Sequence, residues 1–172
     1  MTVGSTLEQR LGTGTPGRYL SFVLGPETYA IPVLKVVEII RTLPITTVPR
    51  MPDYIKGVFN LRGKIVPAID LRARFGLAEA APTELSCLIV VQLDAVSGPK
   101  QRVGLMVDAL EEVTPIAPGN IESSPDFGAS VDTVFISGLA KVKGKVAILL
   151  DVDRVLPNPA SLPMAKVTFV KT

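Results

Sequence analysis

The strongest constraint on how this chain folds is an internal duplication. Gly57, Leu61, Gly63, Lys64, Ile65, Ile69, Asp70 and Leu71 are matched by Gly138, Val142, Gly144, Lys145, Val146, Leu150, Asp151 and Val152, each pair 81 residues apart. Upstream, Ala30, Ile31, Val33, Val36, Glu38 and Ile39 are matched by Gly104, Leu105, Val107, Leu110, Glu112 and Val113, each pair 74 apart. Offsets held constant over so many positions mark a repeated structural unit, and such a repeat decides the architecture before any single element does. The two offsets differ by 7, so the second copy carries that many extra residues between Val113 and Gly138.

Each copy reads as a small β unit. Residues 19–24 and 28–32 flank the turn residues Gly25 and Pro26, which is a hairpin signal. Residues 58–61 and 64–69 flank Arg62-Gly63, a pair suited to a two-residue turn with positive φ at both central positions. The second copy repeats this plan with strands over 86–93 and 102–107, then a hairpin over 138–142 and 145–150 around Lys143-Gly144. Residues 71–75, stopped by Gly76, predict a short helix, and residues 151–156 take its place in the second copy. Residues 114–135 read as an irregular insertion. Residues 33–40 are ambiguous, because Val33, Val36, Val37 and Ile40 have helical spacing while their β-branching favours strand. That apolar run is either a surface patch for a partner or is buried between the two units.

Short strands, no long helix, 15 prolines and 14 glycines predict an all-β fold of two five-stranded barrels, side by side, closed so that no edge is left open. The boundaries expected are a mobile N-terminal tail over 1–17, a barrel over about 18–77, a connection at 78–83, a barrel over about 84–157 with the ends able to cross over, and a C-terminal extension over 158–172.

Several kinds of chemistry are excluded by residue inventory. There is no histidine, which removes the commonest general base, the commonest metal ligand and any phosphohistidine relay. The single cysteine, Cys87, lies in the apolar run 85–93, where burial raises its pKa and makes it inert. Glu111 and Glu112 are adjacent on a predicted strand and point to opposite faces, so they form no shared-proton dyad. Asp70 and Asp151 follow strands and precede short helices, which predicts capping. Gly57, Gly63 and Lys64 lack phosphate-loop spacing and serve a hairpin. Neither a catalytic site, a metal site nor a cofactor is therefore expected. A formal charge of +2 is too small to draw the chain to a phosphate backbone, and a barrel binding single strands needs stacking aromatics, of which Phe and Tyr together supply nine and Trp none. No apolar stretch reaches the ~18 residues that would span a bilayer. A cytoplasmic protein without membrane insertion or nucleic-acid partner is expected.

The block Gly57-Val58-Phe59-Asn60-Leu61-Arg62-Gly63, followed by Pro67, Asp70 and Leu71, closely resembles the CheW family of bacterial chemosensory coupling proteins. Residues 31–39 and 104–108 extend the likeness, which runs from about Arg18 to Leu156. The resemblance implies two SH3-like five-stranded barrels without catalytic activity, monomeric when free. It implies an adaptor that joins chemoreceptor cytoplasmic tips to the regulatory domain of a CheA-type histidine kinase in membrane-associated arrays, or one serving a non-flagellar output such as type IV pili. Carried over by position, the receptor-facing groove comprises Val36, Gly57, Asn60, Leu61, Arg62, Gly104 and Val113, and the first kinase contact comprises Val33, Glu38, Ile39 and Ile45. A second, ring-closing kinase contact falls around Phe127, with Glu122 where relatives often carry a basic residue. Val36 and Val113 are not repeat equivalents, so the implied groove is not twofold symmetric. Arg62, at a hairpin tip, is expected to reach Glu38.

Overall fold

The computed structural model describes residues 17–41, 44–94, 101–123 and 135–155. The expected tail before Gly17, the C-terminal extension and Phe127 lie outside the described residues. The chain forms β1 (Arg18–Leu24), β2 (Glu27–Pro32), a 3-10 turn (Val33–Lys35), β3 (Val36–Ile40), β4 (Ile55–Leu61), β5 (Lys64–Asp70) and a one-turn helix α1 (Leu71–Arg74). The second copy supplies β6 (Cys87–Leu93), β7 (Gln101–Val107), β8 (Ala109–Pro115), a 3-10 turn (Pro118–Asn120), β9 (Ile121–Glu122), β10 (Ile136–Val142), β11 (Lys145–Leu150) and α2 (Val152–Val155). The ambiguous run 33–40 is thus a single helical turn followed by a strand.

The fold is all-β in two sheets, but the sheets do not follow the two halves of the sequence. One sheet has the order β8-β1-β2-β11-β10-β9 and the other β3-β6-β7-β5-β4. Each takes its leading hairpin from one copy and its later strands from the other, so the division at 77 and 84 is not the division between sheets. Connection length explains this. Both β2 and β3 would lie antiparallel to a common neighbour, hence parallel to each other, and a parallel return within one sheet needs a dozen or more residues. Only Val33–Lys35 separates β2 from β3, and only Asp108 separates β7 from β8. With so little chain the backbone must step to the opposite sheet at both places.

Among the described residues the sheets have six and five strands rather than five each, and neither closes: β3 and β4, the edges of the five-stranded sheet, are not hydrogen-bonded to each other. They are nevertheless brought together by coiling, because Ile40 on β3 shares a buried cluster with Phe59 and Leu61 on β4.

The duplication is visible in the strand registers. Ala68 faces Gly104 across the parallel β5–β7 pair, and their repeat mates Leu149 and Ala30 face each other across β11–β2. β-Bulges recur too, between Ile55 and Gly57 and between Ile136 and Gly138, and again between Val36 and Glu38 and at the matching place on β8. Bulges re-aim side chains. Both hairpin tips have the expected turn, with positive φ at Arg62 and Gly63 and at Lys143 and Gly144.

Three cores follow from strand alternation. A large one lies between the sheets and takes Leu20, Phe22 and Leu24 from β1, Ile89 and Val91 from β6 and Leu105 from β7. A second fills the coil of the five-stranded sheet, around Phe59, Leu88 and Val90. A third fills the other sheet, around Ala30, Ala140 and Leu149. β6 is nearly all apolar because it is covered on both faces: Cys87, Ile89, Val91 and Leu93 face the shared core while Leu88 and Val90 face the barrel interior. Cys87 is 5% exposed and burial pushes its thiol up to about 11, so it is a core residue.

Candidate functional site: the hairpin tip beside β3

β3 carries an apolar run that no single core can absorb, and the bulge between Val36 and Glu38 resolves it. Val33 and Ile39 enter the shared core, with Val36 packed at its rim; Ile40 enters the barrel core, with Val37 packed against it. The run is therefore mostly buried, and Leu34, 61% exposed, is its outward member. Glu38 is left at the barrel mouth, opposite the β4–β5 turn.

The structure brings Glu38, Asn60 and Arg62 together there. Arg62 Nη2 lies 3.4 Å from Glu38 Oε2, with the Arg62 side chain 76% exposed and that of Glu38 only 11%. Asn60 Oδ1 accepts the Gly63 N–H at 2.8 Å, which fixes the turn. The other carboxylate oxygen, Glu38 Oε1, is buried and has no hydrogen-bond partner. A buried acceptor left open is costly, of order 1–3 kcal/mol, and an incoming donor would relieve it. The tip presents one exposed guanidinium above one largely buried carboxylate.

The remaining implied site residues lie beneath this turn or apart from it. Gly57 and Gly104 are buried and have no side chain to present. A Cβ on Gly57, whose φ is +152°, would stand 2.1 Å from the Thr46 carbonyl oxygen, so the glycine lets Thr46 pair with Val58. A Cβ on Gly104 would stand 2.7 Å from the Phe59 ring. Leu61, Val33 and Ile39 are core residues at 7%, 2% and 0% exposure, with nearly all of their surface in packing contacts. Ile45 is half-buried against the barrel core. Val113 is half-buried on β8 in the other sheet, packed against the shared core as Val36 is.

A second tip is legible in the repeat. Glu112 and Lys143 are the mates of Glu38 and Arg62, and they form the matching ion pair, at 2.6 Å. Ile65 and Val146, also mates, are the exposed aliphatics beside the two turns. Applying the 81-residue offset to Arg62 would have found this pair. Glu111 points elsewhere and accepts from Thr28 Oγ1 at 2.9 Å.

At the far end of the five-stranded sheet from the Arg62 turn, a groove of about 670 Å³ is lined by Ile45, Lys56, Glu79, Pro82, Cys87 and Met106 among others. Lys56 pairs with Asp70 and Glu79, and Arg41 donates to the Glu84 carbonyl. Asp70 and Asp151 cap their helices as expected, accepting from the N–H groups of Arg72 and Asp153.

Residues 18–160 match the family model described as a CheW-like domain. The chain belongs to the CheW family. It is 34% identical over 154 residues to the chemotaxis protein CheW of Klebsiella aerogenes, covering 90% of each chain. It is 32% identical over 148 residues to CheW of Bacillus subtilis, covering 86% of this chain and 91% of that one. The solved scaffolding protein TtCheW of Thermoanaerobacter tengcongensis superposes with a TM-score of 0.76 at 34% identity, over 86% of this chain and 97% of its own. This is a family of chemotaxis scaffolds, and its SH3-like double-barrel architecture accounts for the two coiled sheets.

Proposed function

We propose that this protein is a non-enzymatic coupling protein, binding chemoreceptor cytoplasmic tips through one surface and the regulatory domain of a CheA-type kinase through another, in the cytoplasm at membrane-associated arrays. Membership of the CheW family supports the reading, and the observation that carries it within the molecule is the Glu38–Arg62 tip: an exposed guanidinium above a buried carboxylate with one oxygen unpartnered. A receptor tip is a helical hairpin, and helix recognition uses aliphatic area with few polar groups to set register. Arg62 and Asn60 supply the polar groups and half-buried Val36 the aliphatic edge. Glu38 and Ile45 lie on the side assigned to the kinase, with a further kinase contact around Phe127.

The test is reconstitution of the cognate kinase with receptor fragments and labelled ATP. Addition of this protein should raise kinase phosphorylation only when receptor is present. Phosphorylation that is unchanged by the protein contradicts the proposal.

A further inference from the structure

The coiled five-stranded sheet is open at the end away from the Arg62 turn. The groove of about 670 Å³ found there has a floor made by the barrel's own core, since Ile45, Leu88 and Met106 all pack in the cluster that fills it. The exposed segment 80–82, Ala-Ala-Pro, forms part of the wall. An apolar floor of this kind with a few polar groups around it is the usual make-up of a small-molecule site, for which roughly 300–1,000 Å³ is typical.

Six charged side chains line the groove, and five of them are engaged with one another. Lys56 lies 3.6 Å from Asp70 and 3.4 Å from Glu79. Arg72 holds Asp108 through two contacts, Nε to Oδ1 at 2.8 Å and Nη2 to Oδ2 at 2.6 Å. Arg41, at the end of β3, is the exception: it forms no salt bridge among the described residues, and its Nη1 donates to the Glu84 carbonyl at 3.1 Å. A guanidinium has five N–H donors in one plane and matches a carboxylate through two of them, so Arg41 has donors to spare. Its charge is felt inside the groove. Burial raises the pKa of the Cys87 thiol, which is part of the lining, and the positive charge of Arg41 opposes that rise.

We propose that this groove binds a small amphiphilic monocarboxylate, its carboxylate on Arg41 and its hydrocarbon body over Ile45, Leu88 and Met106. The three cations and three carboxylates of the lining sum to zero, so the groove attracts no anion along its whole length. One carboxylate is met at Arg41, and the remainder of the ligand must be apolar, because a second anionic group would face Asp70, Glu79 and Asp108. The site shares only Ile45 with the surfaces proposed above and is independent of them.

The test titrates isotope-labelled full-length protein with octanoate and with octanol, equal in hydrocarbon length and different in the carboxylate, and follows both by nuclear magnetic resonance. Octanoate should shift the signals of Cys87, Leu88 and Met106 saturably, leave those of the six-stranded sheet unmoved, and bind at least about tenfold tighter than octanol. Arg41→Gln should lower the affinity for octanoate to that for octanol and leave octanol binding unchanged; Arg41 is exposed, so the variant keeps its fold. Shifts that fail to saturate or that scatter over both sheets would overturn the proposal, as would an unaltered octanoate affinity in Arg41→Gln. Equal affinity of the wild type for acid and alcohol would overturn it too, and would mark the groove as a purely apolar seat for a protein segment.

Discussion

At Gly104 the absence of a side chain is a packing requirement: the Phe59 ring occupies the space a methyl would need. Gly104→Ala should destabilise the protein by about 1–3 kcal/mol in urea unfolding, the range for an overfilled core. Gly57→Ala should cost more, because its clash is with the Thr46 backbone and its φ disfavours a side chain. Asp108 makes a prediction of a different kind. Hydrogen bonds from Arg72, and from the Gly25 backbone, hold its carboxyl below the usual range despite partial burial. A carboxyl whose folded pKa is depressed contributes stability above its unfolded value, ~3.9, and loses it as pH falls through the folded value. Asp108→Asn should therefore be less stable than wild type at pH 7, with the difference shrinking below about pH 4. Lys35 titrates in the alkaline range: burial lowers its pKa, but hydrogen bonds to Asp153 and Asp94 outweigh that and hold it raised.

At the scale of elements, the two turns separate surface function from stability most cleanly. Arg62 is exposed and its ion pair is long, and exposed pairs contribute ~0–1 kcal/mol. Arg62→Asp should therefore leave the unfolding midpoint nearly unchanged, while receptor-fragment affinity falls at least fivefold in a pull-down titration. Equal affinity for the variant would remove this turn from the receptor surface. These hairpins were readable from the sequence because an X-Gly pair between β-branched runs has one economical backbone solution. The Asp70 and Asp151 caps and the buried Cys87 were readable for the same reason, each being a local consequence of residue type. Sheet membership was not, since it depends on how far apart strands can be joined and only emerges when Val33–Lys35 and Asp108 are seen as steps between sheets. Nor did spacing reveal that Val36 and Glu38 leave their strand on different sides, because a bulge inserts one residue between them. Burial of Ile39 in the shared core follows from that geometry.

For the whole molecule, duplication with exchanged hairpins yields a body whose halves are interlocked through a common core, with two related tips that differ in composition. Such a body suits simultaneous attachment to two different neighbours, since neither barrel can shift without disturbing the core they share. The measurement that tests this most directly is co-sedimentation of three components: membranes bearing receptor, the cognate kinase and this protein. The kinase should pellet with receptor membranes when the coupling protein is present and stay in the supernatant when it is omitted. A kinase that pellets to the same extent without it, or that fails to pellet with it although each partner binds singly, would contradict the claim that one molecule holds both at once.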